Sequence, residues 1–321
     1  LNMNIAIAGC THGCLDQLYA EIEQQTQGEP IDLLLCTGDF EAIRDQADLD
    51  TMTCPAKYRT FGDFGKYYRR EVVAPYLTIF IGGNHEAVGH LAELEFGGWV
   101  APNIYYLGKA GVIRVGSLRI AGISGIYQEP EYDQPEVTLP YRTKTLHSAY
   151  KIRRTTVEKL LRLTAPIDIF MSHDWPRRIY HHGDTAGLLR IKPFLNREVK
   201  QSILGSPASE QLMEHLRPVY WFASHMHVKF AAIHPTTGTK FLALDKVLDR
   251  RNFLQILKID ATPGELLIDE QWANILWDYV GDPIKPPEFE ADLETPFDYF
   301  ASTRLRHSEV TRKLLELVSN C

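Results

Sequence analysis

No apolar run in this chain approaches the roughly 20 residues needed to span a bilayer, so no membrane partner is expected. The first residues carry no basic patch followed by a long apolar stretch, and no secretory leader is expected either. Cysteine is scarce: Cys10, Cys14, Cys36, Cys54 and Cys321 make an odd and scattered set of five. That is a poor disulfide framework and fits a reducing compartment. Net positive charge is missing too. A formal charge of -7 argues against indiscriminate nucleic-acid binding, although a site can draw positive charge from bound metal ions. Internal repeats and low-complexity tracts are absent. What remains is a chain of 321 residues, 45% hydrophobic and 23% charged, enough for one large core and a smaller appendage.

Five short apolar runs organise it. Asn4–Ala8 leads into Gly9-Cys10-Thr11-His12-Gly13, and Leu15, Leu18, Tyr19 and Ile22 then recur at helical spacing. Ile31–Cys36 ends in Thr37-Gly38-Asp39-Phe40, and Leu77–Ile81 ends in Gly82-Gly83-Asn84-His85-Glu86. Ile167–Met171 ends in Ser172-His173-Asp174-Trp175-Pro176, and Val219–Ala223 ends in Ser224-His225-Met226-His227. The runs are short, rich in branched residues and stopped by polar turns, as buried strands are. Open α/β sheets place their ligands at such strand ends.

Those ends deliver Cys10, His12, Asp39, Asn84, His85, His173, His225 and His227. Two metal ions about 3.5–4 Å apart can split a phosphodiester by clamping the attacking and leaving oxygens. Such a site needs a carboxylate that bridges both ions, and Asp39 fits. Cys10, His12 and His227 would complete one ion's shell, and Asn84, His173 and His225 the other. His85 is left over; its imidazole can protonate the leaving oxygen or stabilise transition-state charge. The nucleophile is expected to be a metal-bound water or hydroxide. A thiolate is soft, so zinc is expected at the Cys10 site and Fe(II), Mn(II) or zinc at its harder neighbour.

Elsewhere, Tyr58–Tyr68 is aromatic and basic, read as packing a helix near the site. Ala110–Ile123 alternates like two antiparallel strands. Ser124–Leu146 has three prolines and no period, and reads as a long functional loop. A helix is expected from about Ser148, and another after Ser209 as N-cap. Phe241–Leu244 and Phe253–Ile259 look like paired strands. Charge is partitioned: Tyr141–Arg162 holds seven Lys and Arg against Glu158 alone, whereas Glu288–Asp298 holds five acids and no base. Trp272 and Trp277 lie in an amphipathic stretch, prolines follow, and a last helix is expected from Ser308.

Gly-Asp-Phe, Gly-Gly-Asn-His-Glu, Ser-His-Asp and Ser-His-Met-His, in that order, resemble the motifs of the calcineurin-like metallophosphoesterases. Cys10 stands where that superfamily usually has Asp. With Gly97–Gly108, Ser172–Pro176, Leu204–Ala208, His227–Ala232 and Phe241–Lys246, the chain resembles the RNA lariat debranching branch. The resemblance implies an α/β fold, a four-layer α/β/β/α sandwich with a loop insertion and a small C-terminal extension. The domains would be 1–123 with 149–260, an insertion at 124–148 acting as a lariat-recognition loop, and 261–321. It implies hydrolysis of the 2′–5′ phosphodiester at the branch of excised intron lariat RNA, in mRNA processing and intron turnover. Two divalent metal ions, branched RNA as the partner and a nuclear, also cytoplasmic, location are the matching expectations. Tyr127 and Tyr141 could stack on splayed bases, and Arg142, Lys144 and Arg153 could meet phosphates. The competing readings are a phosphodiesterase for other nucleic acids or nucleotides, and a catalytically silent scaffold of the same fold.

Overall fold

The computed structural model describes residues 1–139, 141–142 and 145–280. The chain divides into two compact units, Leu1–Asp269 and Glu270–Cys321. The first contains β1 (Asn2–Ala8), β2 (Leu33–Cys36), β3 (Thr78–Phe80), β4 (Gly98–Ala101), β5 (Ile104–Tyr106), β6 (Ala110–Val115), β7 (Leu118–Ile123), β8 (Ile169–Ser172), β9 (Tyr220–Ala223), β10 (Phe230–Ile233), β11 (Lys240–Ala243), β12 (Leu254–Asp260) and β13 (Leu266–Ile268). They form two sheets, ordered β12-β1-β2-β3-β5-β4 and β10-β11-β9-β8-β7-β6-β13. β1, β2, β3 and β5 run parallel, as do β7, β8, β9 and β11.

Alternation along the strands builds the layers. Met3, Ile5 and Ile7 of β1, with Leu33 and Leu35 of β2, share one core with Ile120, Ile169, Met171 and Phe222 of the second sheet. Ala6, Ala8, Leu34 and Cys36 face the other way, onto Leu15, Leu18, Tyr19 and Ile22 of the helix Leu15–Thr26. On the second sheet Phe170 and Trp221 stack on the face opposite Ile169 and Met171. Parallel neighbours need crossovers. The helices Arg154–Leu161 and Pro207–Leu216 lie between β7, β8 and β9 in sequence and pack on one another. The result is a sandwich of two mixed sheets with helices. Among the described residues no helix is long and apolar enough to cross a membrane.

Four expectations shift. β11 and β12 do not pair with each other: β11 lies between β9 and β10 in the second sheet, and β12 pairs antiparallel with β1 in the first. The turn between them carries the chain across the sandwich. The helix expected from Ser148 starts at Arg154, because Lys151 bridges Ile126 and Arg153 is extended. The N-cap is Ser206, whose Oγ accepts from the Ser209 N–H at 3.1 Å, with Pro207 opening the helix. The first unit closes at Asp269 rather than 260, since β13 pairs with β6. The acidic patch at Glu288–Asp298 and the helix expected from Ser308 lie outside the described residues.

That last strand is fastened by charge. The Arg119 guanidinium grips Asp269 with two bonds of 2.7 and 2.8 Å, both side chains almost fully buried. Breaking such a pair leaves a buried charge uncompensated. Asp269→Ala is expected to destabilise the protein by about 3–5 kcal/mol, seen as a lower urea midpoint.

Candidate metal centre

The five motifs follow the carboxyl ends of β1, β2, β3, β8 and β9, three strands of one sheet and two of the other. The chain must turn at once for these side chains to converge. His12, Asp39, His225 and His227 sit in the left-handed region, at φ 47, 47, 60 and 48°. For residues other than glycine this costs about 1–3 kcal/mol each and persists only where surroundings enforce it.

The enforcing contacts are specific. Glu86, fully buried, accepts from the Phe40 N–H (2.7 Å), the Glu41 N–H (2.8 Å) and the Gly83 N–H (2.9 Å), tying the β2 turn to the β3 turn. Burial, and then the nearby Asp39 carboxylate, push the Glu86 carboxyl up to about 8 despite those donors. Asp39 Oδ1 accepts from the His85 N–H at 2.8 Å, and the His12 N–H donates to the Asp39 carbonyl at 2.6 Å. Gly83 is required by this approach. A Cβ there would lie 2.1 Å from Asp39 Oδ1 and 2.8 Å from His173 Cε1.

The donors form two groups around Asp39. In the first, ligand atoms of Cys10, His12, Asp39 and His227 all lie within 4.8 Å of one another. His12 Nε2 is 3.3 Å from His227 Nε2 and 3.8 Å from Asp39 Oδ2, and Cys10 Sγ accepts from the His225 N–H at 3.3 Å. In the second, His173 Nε2 is 3.3 Å from Asp39 Oδ1 and 3.1 Å from Asn84 Oδ1. The His225 ring lies 4.9 Å from that of His173. His85 packs edge-on to His12, ring centroids 5.5 Å apart. Every strand-end residue singled out in the sequence is therefore brought to one place.

The chemistry of this donor set fits divalent cations. His173 Nδ1 faces the Thr37 carbonyl at 2.8 Å, which turns Nε2 toward the Asp39 carboxylate and the Asn84 amide oxygen, an edge that calls for a proton or a metal ion. Lone pairs crowded in a buried space repel unless a cation lies among them. Burial, and then His173 and His12, push His225 and His227 down to about 3, so both imidazoles are neutral, the form that ligates. Burial alone would raise the Asp39 carboxyl, but His173, His12 and His85 outweigh it and hold it well below the usual range. Burial and then Asp39 drive the Cys10 thiol far up.

Sequence reasoning missed Glu41. It is 7% exposed, and its Oε1 lies 3.1 Å from His12 Nδ1. A carboxylate there fixes the tautomer whose Nε2 faces the centre. The only signal was an acid two residues past Asp39, which reads as a solvated turn residue.

The insertion is more self-contained than expected. Arg153 is 1% exposed: its guanidinium holds Ser148 (carbonyl 3.0 Å, Oγ 2.6 Å) and Glu131 (3.3 Å). It secures the returning chain rather than meeting a phosphate. Arg154 likewise pairs with Asp133 and lies over the Tyr132 ring, so part of the basic cluster answers the loop's own acids. Tyr127 is half-buried; its ring leans on Tyr132 and its N–H donates to Asp174 at 3.3 Å. Tyr141 is half-buried and lines a small cavity of about 40 Å³ with Gly83, Tyr106 and Tyr150. Arg142 is exposed, its N–H and carbonyl closed into a turn by Thr145 Oγ1. Lys144 lies outside the described residues.

A two-sheet sandwich with His, Asp, Asn and Cys donors at its strand ends matches a known class. A family model described as calcineurin-like phosphoesterase matches residues 3–229, and one described as the lariat debranching enzyme C-terminal domain matches residues 236–280. Lariat debranching enzymes of Danio rerio and Homo sapiens are 52% and 51% identical, over 85% of this chain and 51% and 53% of theirs. That of Arabidopsis thaliana is 49% identical over 85% of this chain and 68% of its own. The chain belongs to the lariat debranching enzyme family. It spans about half the length of the animal relatives it matches. The class implies divalent metal ions, and the donor set accommodates them.

Glu41→Ala should lower divalent-metal affinity by roughly 10–100-fold with the fold intact, measured by chelator competition. Unchanged affinity would remove Glu41 from the centre.

Proposed function

We propose that this chain hydrolyses the 2′–5′ phosphodiester at the branch of lariat RNA. The observation that carries the reading is the gathering of Cys10, His12, Asp39, Asn84, His173, His225 and His227 at one rim, in a member of this family. Cys10, His12 and His227 would hold one ion, Asn84, His173 and His225 the other, with Asp39 between them. Bound divalent ions supply the charge that draws the attacking and leaving oxygens into line. The soft Cys10 thiolate favours zinc on its side; the harder O and N donors suit Fe(II), Mn(II) or zinc.

The remaining work falls to the chain. Its bond to Asp39 fixes the His85 backbone; the imidazole, edge-on to His12, would protonate the departing oxygen or hydrogen-bond the charge that develops on the phosphate. Glu41 keeps His12 in one tautomer. Tyr127, Tyr141 and Arg142 are the insertion residues proposed to meet RNA. Arg153 acts a step back, by securing the loop that carries them.

The test is cleavage of a synthetic 2′–5′ branched RNA beside a linear RNA, by protein purified anaerobically and supplied with Fe(II), Zn(II) or Mn(II). Branch-specific cleavage is expected, and His85→Ala should lower it by about 10²–10⁴-fold. Equal cleavage of linear RNA would indicate a generic phosphodiesterase. A folded, metal-loaded protein that cleaves neither would be a silent scaffold.

A further inference from the structure

The aromatic and basic stretch Tyr58–Tyr68 is read from the sequence as packing a helix near the site. The structure divides it. Phe64 and Tyr67 are buried in the core, but Tyr58 and Phe61 stand 58% and 57% exposed. Residues 55–71 hold five Lys and Arg against two acids, in a chain whose formal charge is -7. Lys57 lies over the Tyr58 ring at 4.7 Å, and the Arg59 Nε donates to the Cys54 carbonyl. Neither cation has a carboxylate partner among the described residues.

This surface begins at the lip of the metal centre. Gly62 packs so closely on Gly13, the residue after His12, that a Cβ on it would lie 2.7 Å from the Gly13 Cα. The Asp63 N–H donates to the Gly13 carbonyl at 2.8 Å. Phe61, Gly62 and Lys66 line an open cleft of about 550 Å³, together with Arg44, Arg69 and the acids Asp45, Asp63 and Glu71. The insertion reaches the centre elsewhere, at the glycines of the β3 turn.

We infer that the surface of Lys57, Tyr58, Arg59 and Phe61 is a second RNA track, which holds a single-stranded arm of the branched substrate as it leaves the centre. The inference rests on the proposed function. A branch point joins three strands, so arms leave it in more than one direction. Exposed rings interleaved with unpaired cations are the chemistry of single-strand binding: bases stack on the rings while the cations follow phosphates. A polyanion complements the local charge as an acidic protein partner would, but only a nucleic acid also uses the rings as a stacking ladder.

The experiment compares wild-type protein with Tyr58→Ala/Phe61→Ala and Lys57→Gln/Arg59→Gln, neither of which alters a residue of the centre. Two branched RNAs are used, one with long single-stranded arms and one trimmed to the branch nucleotides. Binding is read by anisotropy over a salt series, and hydrolysis of bis-p-nitrophenyl phosphate is the control. The ring variant is expected to bind the long-armed RNA roughly tenfold or more weakly. Trimmed RNA and the small ester should be handled as by wild type. The cation variant should reduce the salt slope of long-armed binding by about one to two. Long-armed binding within about twofold of wild type would overturn the inference and leave the surface to a protein partner. Equal losses for both RNAs would overturn it too, by placing the defect in the centre. Wild-type protein that binds no branched RNA would overturn the proposed function along with it.

Discussion

The Asp39 carboxylate, 1% exposed, stands between His173 on one side and His12 on the other. Much of the first unit's design can be read as a means of keeping it there. A buried carboxylate is costly unless charge or hydrogen bonds answer it. Here its Oδ1 takes the His85 N–H, its own carbonyl takes the His12 N–H, and the neighbouring histidines keep it ionised. Its backbone is left-handed and held so by Glu86, which binds three N–H groups across two turns.

The constraint explains why two sheets are needed. β1, β2 and β3 bring Cys10, His12, Asp39, Asn84 and His85 from one sheet; β8 and β9 bring His173, His225 and His227 from the other. Thr37 links them, since its carbonyl receives both His173 Nδ1–H and the Ser224 hydroxyl at 2.8 Å. The shared core of Ile5, Ile7, Leu35, Ile169, Met171 and Phe222 sets the register of the two rims. Packing far from the chemistry therefore fixes distances within it.

Much of this was legible in the residues. The strand ends could be read because each apolar run stops at a polar turn, and the donors fall in those turns. Pairing was less legible: β11 and β12 are both apolar, near in sequence, and look like a hairpin, yet β1 supplies a longer partner for β12. β10 escaped notice because only Phe230 and Ala232 of its four residues are buried. Arg153 looked like a phosphate ligand because sequence shows charge but not burial. Glu41 was missed for the reverse reason: its role depends wholly on which histidine it meets.

We propose that these strand ends hold divalent ions with Cys10 as a thiolate ligand. Cobalt(II) titration of metal-free protein tests it most directly, because a cobalt–thiolate bond has its own near-ultraviolet charge-transfer band. That band is expected in wild-type protein, with saturation at two equivalents, and in Cys10→Asp the band is lost while cobalt binding remains. Cobalt binding without the band, or no binding by folded protein, would contradict it.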